Sequence, residues 1–432
     1  MTGVVVSYPG VMQHAQQIAR AFHEVGVLDR LVTAFAPNPE RFPGRLLAGA
    51  ERGVAAAARR RLDRRKINQV PYTLVQDIGA GEVMRLAASA TFKDARVADT
   101  IWDLASHHFD RRVAQRHARR GPVEALHAFE YTALHTFEEA KRAGKLCVLH
   151  LPSLDSREFE NMQRRELSSW PELANPHQAY FDRRFERRNE RRSRERELAD
   201  VIVCNSALTA RSHAAAGADP GKIVVTPLGA PPPLLASELF YRSPSEPLSV
   251  VWAGPFSLRK GAHHFLTAWR LLNAGPAAEA HIYGSIALPP RALLMAADTV
   301  TFHGPVSQQV LFSAFRQADI LVFPSLSDGF GMVLTEALSQ GLPVLTTAAA
   351  GASELIRPRC NGVMVPAGDP HALKEAMQWC LDNRDALQSM KTEALKTAEG
   401  SQWSHFRKRV RDLTLSANGD RGGAMHLTEL RP

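Results

Sequence analysis

Short unbroken apolar runs alternate along this chain with stretches whose apolar residues recur every three or four positions. The runs Val4 to Ser7, Leu31 to Phe35, Ala125 to Phe129, Lys145 to His150, Ala199 to Asn205 and Ile223 to Thr226 predict strands of a buried parallel sheet. Helices are expected between them, from Met12 to Val25, Thr132 to Ala143 and Ala207 to Ala216, the last opened by Ser206 and closed by Gly217. Six prolines between Pro227 and Pro247 then interrupt the alternation, and it resumes with the strand Ser249 to Ala253. The strands Ala280 to Tyr283, Val300 to Phe302, Ile320 to Phe323, Leu342 to Thr347 and Gly362 to Val365 follow. Two α/β units are therefore expected, residues 1 to 226 and 248 to 402, joined by a linker at 227 to 247. Trp403 to Ser416 reads as a closing amphipathic helix, and 417 to 432 as a polar, disordered tail.

In the segment ADILVFPSLSDGFGMVLTEALSQGLPVLTT, from Ala318 to Thr347, a strand runs through a loop into a helix that begins at Gly331. Asp328 precedes that helix start, and Glu336 lies roughly 8 Å along its axis at about 1.5 Å per residue. The free amides at Gly331, Met332 and Val333 lie between the two carboxylates and suit a phosphate, since helix amino ends carry unpaired donors and a positive dipole end. Anion in the middle and acceptors on both sides match sugar hydroxyls, a diphosphate and ribose hydroxyls. Farther up the chain, GPFSLRKG after the strand at 249 to 253 supplies Arg259 and Lys260, a planar fork and a compact charge suited to phosphate oxygens.

The central segment resembles the signature of the family 4 retaining glycosyltransferases of the GT-B fold, in which two acids eight apart bracket a GFG loop. The resemblance covers residues 200 to 410 well and the first 200 loosely. It implies an α/β GT-B architecture, two doubly wound Rossmann-like domains facing a cleft, with Asp328 on donor-sugar hydroxyls and Glu336 on the ribose. The first acid is usually Glu in the family, and an arginine usually stands where this chain has Pro255. The resemblance further implies Gly329 and Phe330 in the donor loop and Arg259 and Lys260 on the diphosphate. It also places Gly10 of the first glycine turn, and Gly284, Pro305 and Val306 of two strand-end loops, around the nucleotide. His150, at a strand end before Pro152, corresponds to a histidine near the family's reaction centre; Glu130 is a second acceptor-side candidate. The implied reaction moves a sugar from a nucleotide-diphosphate donor to a hydroxyl of a glycan or lipid-linked acceptor, with retained configuration and without a metal. The alternative is a catalytically inactive relative that binds a glycan or nucleotide.

Composition adds boundaries. The net charge is +9, and residues 1 to 250 carry 36 Lys and Arg against 29 Asp and Glu. Such a balance suits anionic partners, a membrane surface or a phosphorylated acceptor. A helical candidate at 45 to 66 ending in RRRLDRRK fits either a lipid-facing helix or a solvated one. The eight arginines between Phe181 and Asp200 recur at i, i+4 among acids, which reads as a solvent-facing, self-paired helix. No aromatic platform accompanies them, so nucleic acid is not an expected partner. The start MTGVVVSYPG lacks the basic and apolar regions of a signal peptide, and the expected location is cytoplasmic, peripheral at the inner membrane face. The scattered Cys147, Cys204, Cys360 and Cys380 make neither a disulfide framework nor a metal site. Adjacent pairs His107/His108 and His263/His264 lack the i, i+4 spacing of a helical zinc pair and are expected to point apart.

Overall fold

The computed structural model describes residues 3–10, 12–36, 65–78, 94–119, 121–174, 177–294, 296 and 298–419. The first half runs β1 (Val4–Ser7), α1 (Gln13–His23), β2 (Leu28–Thr33), β3 (Val75–Asp77), α2 (Ala95–Val113), β4 (Ala125–Phe129), α3 (Leu134–Arg142), β5 (Leu146–Leu151), α4 (Ser156–Ser169), α5 (Gln178–Leu198), β6 (Val201–Cys204), α6 (Ala207–Ala215) and β7 (Ile223–Val225). The second runs β8 (Leu248–Ala253), α7 (Ala262–Leu272), β9 (Ala278–Tyr283), β10 (Val300–Gly304), α8 (Gln308–Gln317), β11 (Ile320–Phe323), α9 (Met332–Ser339), β12 (Val344–Thr347), β13 (Gly362–Val365), α10 (Pro370–Asp382), α11 (Arg384–Glu399) and α12 (Trp403–Gly419).

Both sheets are parallel throughout, ordered β3-β2-β1-β4-β5-β6-β7 and β10-β9-β8-β11-β12-β13. In each, the chain winds outward from its first strand and then returns to that strand's other side, so the order reverses between β1 and β4 and between β8 and β11. These are the two doubly wound parallel-sheet domains that the resemblance implied. Loops leaving the carboxyl ends of the strands at such a reversal diverge and open a crevice. The central strands β1, β4, β5, β8, β11 and β12 are buried at every position, which is why they read as unbroken apolar runs.

Helices α2 and α4 and the edge strand β3 escape the apolar pattern. β3 spans three residues and none of its positions is fully buried, so no apolar run marks it. The basic candidate at 45 to 66 lies outside the described residues except for Arg65 and Lys66, as does the tail beyond 419. No helix among the described residues is long and apolar enough to cross a membrane. All four cysteines are free, and three of them are buried.

The arginine-rich α5 corrects the expectation of a self-paired surface helix. Arg183 and Arg187 are exposed, but Arg188 bonds Asp99 at 2.7 Å and Asp103 at 3.0 Å, both on α2. Arg184 also pairs with Asp103, and Arg191 with the fully buried Asp110. Half of this helix is therefore glued to α2 by charge. Glu130, the second acceptor-side candidate, faces Arg192 at 3.6 Å and Arg196 at 4.0 Å within the same network. Closing helix α12 lies on the first domain: Arg407 donates to Gln17 at 2.8 Å, and Thr414 contacts His127 at 3.3 Å.

Candidate functional site

At the reversal between β8 and β11, the loop 254–261 and the loop 324–331 leave neighbouring strands and fold onto each other. The Arg259 carbonyl accepts the Leu326 amide at 3.0 Å, and the Arg259 guanidinium donates to the Ser327 carbonyl at 2.9 Å. Lys260 then reaches the Asp328 carboxylate and forms an ion pair with it. Its ammonium also lies 4.7 Å from the Phe323 ring centre, which strand β11 supplies from below. Lys260 is only 6% exposed, and burial pulls its pKa below the usual lysine value while Asp328 pulls back.

Glycine is required at two turns of this site. Gly261 has φ +75°, and a Cβ there would lie 2.1 Å from the Pro324 carbonyl oxygen, so no other residue lets the two loops approach this closely. Gly331 caps α9 from the left-handed region with φ 83° and offers no side chain over the helix start. The carbonyl of Gly331 accepts the Leu334 amide at 2.9 Å, whereas the Met332 and Val333 amides belong to the unpaired first turn. The Phe330 amide points at Asp328 Oδ1, 3.4 Å away.

Glu336 stands on the outer side of α9, half-buried, with Gln308 donating to it at 3.3 Å. Burial raises its pKa to about 7. Gly284, with φ +146°, would place a Cβ 2.0 Å from the Gly254 carbonyl, and its amide bonds the Gly304 carbonyl at 3.0 Å. Loops after β8, β9 and β10 are thereby laced together, with Pro305 exposed and Val306 half-buried at the end of the series.

The first domain contributes differently. His150 is 4% exposed and its Nε2 meets His127 Nδ1 at 2.9 Å; burial, with His127 and His14 adjoining, keeps it neutral. It reaches the donor loop only through the chain that follows it. A Cβ on Gly329 would lie 2.5 Å from the Pro152 carbonyl and 2.8 Å from Ser153 Cα, so the two domains touch there backbone to backbone. The Gly329 carbonyl accepts from the Ser206 hydroxyl at 2.7 Å and from Thr209 at 2.9 Å, both at the start of α6. Gly10 belongs to the first domain, on the turn between β1 and α1. It lines a cavity of about 220 Å³ with Tyr8, Pro9, Ala34, Arg65, Trp102, Ala105 and Ser106 on the first domain.

Sequence reasoning assigned Ser206 to helix capping, which it performs, accepting the Thr209 amide at 3.0 Å. Its second task was hidden because the partner stands 123 residues away. Phe323 and Gln308 were missed for the same reason. A Gly329→Ala substitution is expected to wedge the domains apart, since neither backbone neighbour can step aside. Small-angle scattering should then show a larger radius of gyration; an unchanged radius would mean that the contact is not the one holding the cleft closed.

Residues 247–383 match the family described as "Glycosyl transferases group 1". Among curated proteins, the chain is 28% identical over 218 residues to "D-inositol 3-phosphate glycosyltransferase" of Nocardia farcinica, covering 49% of this chain and 46% of that protein. It is 35% identical over 121 residues to the Streptomyces coelicolor protein of the same name, covering 28% of this chain and 26% of that one. The chain thus spans about half or less of the length of these relatives. Among solved structures it is similar to Anabaena Alr3699/HepE in complex with UDP, with TM-score 0.61 at 14% identity over 96% of this chain and 100% of that one. Sucrose-phosphate synthase from Thermosynechococcus elongatus superposes with TM-score 0.62 at 15% identity, over 96% of this chain and 98% of that one. At these identities the structural matches speak for the GT-B fold.

Proposed function

We propose that this protein is a glycosyltransferase that takes a sugar from a nucleotide-diphosphate donor. The observation that carries the reading is the Lys260–Asp328 pair at the β8/β11 reversal, held beside the glycine-led start of α9. In this reading the Met332 and Val333 amides, with Lys260 and Arg259, receive the donor diphosphate. On donor binding, Lys260 turns from Asp328 to phosphate oxygens, and the freed carboxylate of Asp328 accepts hydroxyls of the sugar. Glu336 receives the ribose. As the glycosidic bond lengthens, charge builds on the departing diphosphate, and these fixed positive groups stabilise it more in the transition state than in the ground state. The chain's own cations and amides thus supply what a metal would otherwise supply, and the proposed reaction is metal-independent and retaining, with the donor phosphate taking the acceptor proton.

Relatives support this donor class: one neighbour was solved with UDP and another crystal of it with UDP-glucose. The acceptor hydroxyl, from a glycan or a lipid-linked sugar in polysaccharide or glycolipid synthesis, approaches from the first domain. There Gly10 and Trp102 line a cavity of about 220 Å³. The basic excess of residues 1 to 250 suits a protein working at an anionic inner membrane face.

A thermal-shift panel of nucleoside diphosphates and their sugars tests the donor, because a specific ligand raises the melting temperature by mass action. No response from any member of the panel would overturn donor binding. The initial anomer released from a hydrolysed donor, read by proton NMR, tests retention.

The raised pKa of Glu336 gives a pH test. A ribose hydroxyl donates its hydrogen bond best to the ionised carboxylate. With a pKa of about 7, the ionised fraction rises roughly tenfold between pH 6 and 8. Sugar-nucleotide affinity is therefore expected to tighten by up to about tenfold over that interval. Glu336→Gln should flatten the profile, measured by calorimetry with an intact sugar nucleotide, whose phosphates do not titrate there. An equal slope in both proteins would remove Glu336 from the donor site.

A further inference from the structure

The expectation that His263 and His264 point apart fails. Both rings sit in the first turn of α7, and both turn Nε2 toward a single atom, Glu166 Oε2, each at 2.8 Å. Glu166 belongs to α4, so the carboxylate comes from one domain and the imidazoles from the other. The three ligand atoms lie within 4.8 Å of one another, and no other such trio of His, Cys, Asp or Glu occurs among the described residues. Both histidines are buried, at 1% and 6% exposure.

The orientation of these rings is set by the site itself. Neither Nδ1 atom has a hydrogen-bond partner, so nothing behind the rings fixes them. Trp170 packs its edge on His263 at 5.4 Å and on His264 at 6.3 Å, closing one side. Gly368 borders the trio: a Cβ built there would lie 3.7 Å from Glu166 Oε1 and 3.8 Å from His264 Nε2, so the absence of a side chain at this position keeps the ligand atoms uncovered by it.

We propose that Glu166, His263 and His264 bind a divalent transition cation of the zinc class, which staples α4 of the first domain to α7 of the second. Two imidazoles and a carboxylate are a donor set that zinc accepts, with bonds of about 2.0–2.2 Å and a water completing the tetrahedron. Tetrahedral bonds of that length set ligand atoms about 3.3 Å apart. The observed 2.8 Å contacts open to that spacing by small side-chain rotations. The cation also compensates a carboxylate that the interface half-buries. Because α7 follows Lys260 by one residue, the staple fixes the base of the loop 254–261 against the facing domain. It is a structural clamp beside the diphosphate site, independent of whether a sugar is transferred.

The test uses the whole chain stripped of metal by a chelator. Cobalt(II) should bind with one equivalent per chain, give tetrahedral visible bands and quench part of the tryptophan fluorescence; zinc should displace it. Glu166→Gln, which keeps the shape of the carboxylate, and His264→Gln should each weaken zinc at least a hundredfold while circular dichroism stays unchanged. Trp170→Phe should keep the bands and lose the quenching component. His281→Ala, at the exposed His281/His303 contact, should change nothing, which separates this site from an adventitious ion only. If wild type and Glu166→Gln bind cobalt alike, or wild type shows no tetrahedral bands, the trio is a hydrogen-bonded clasp and the proposal falls.

Discussion

Lys260→Ala is expected to lower the rate of sugar transfer by about a hundredfold to a thousandfold, the loss typical of removing one fixed stabiliser of developing charge, about 2.7–4 kcal/mol. The ammonium is buried, rests on the Phe323 ring and is held in place by Asp328, so water cannot replace it at the same position. Most of the loss should fall on kcat, because the charge it meets is larger in the transition state than in the bound donor. Lys260→Arg should rescue little: a planar fork does not fit a slot shaped for a point charge. Asp328→Asn sorts the pair. It leaves the cation in place but unpaired, so nucleoside diphosphate binding should persist while sugar transfer falls. A Lys260→Ala protein retaining a third or more of the wild-type rate would show that the pair is a structural bridge and not the diphosphate site.

The legible part of this protein is what its chain builds locally. β11, the glycine loop and α9 follow one another without a break, so strand, anion site and both acids could be read from residue order. GPFSLRKG was legible as a basic loop after a strand. Its meeting with Asp328, 68 residues on, is dictated by the pairing of β8 with β11, which a parallel sheet sets through its winding order. Contacts between domains left no trace of that kind. Ser206 looked complete as a helix cap, and Glu166 lies on α4, a helix that the apolar pattern did not mark. The histidine pair was judged by a spacing rule for ligands on one helix, and that rule does not apply when the third ligand comes from another domain. Charge misled in the same way on α5, since a regular i, i+4 pattern of opposite signs is equally compatible with pairing along the helix or across to α2.

That network gives the second large effect, on stability. Glu195→Ala is expected to destabilise the first domain by about 3–5 kcal/mol, the range for breaking a buried charge network by deleting one partner. Glu195 is fully buried and its two oxygens accept the amides of Tyr131 at 2.6 Å, Ala133 at 3.0 Å and Leu134 at 3.1 Å. These are the donors at the start of α3, which has no side-chain cap of its own. Tyr131 also holds φ 75°, a conformation that costs a non-glycine residue roughly 1–2 kcal/mol and persists while its amide is anchored. Removing the carboxylate strands those three amides and releases that strain, and Arg191 keeps Asp110 and the Tyr131 carbonyl, to which it donates at 3.1 Å. Glu195→Gln should recover part of the loss, because one oxygen remains while the new amide nitrogen faces an N–H. Urea unfolding followed by circular dichroism measures the change. Nucleoside diphosphate affinity should stay at the wild-type level, since no side chain of this network belongs to the second domain. A loss below about 1 kcal/mol, the scale of one ordinary hydrogen bond, would mean that water reaches those amides and that the arginines of α5 do not depend on this carboxylate.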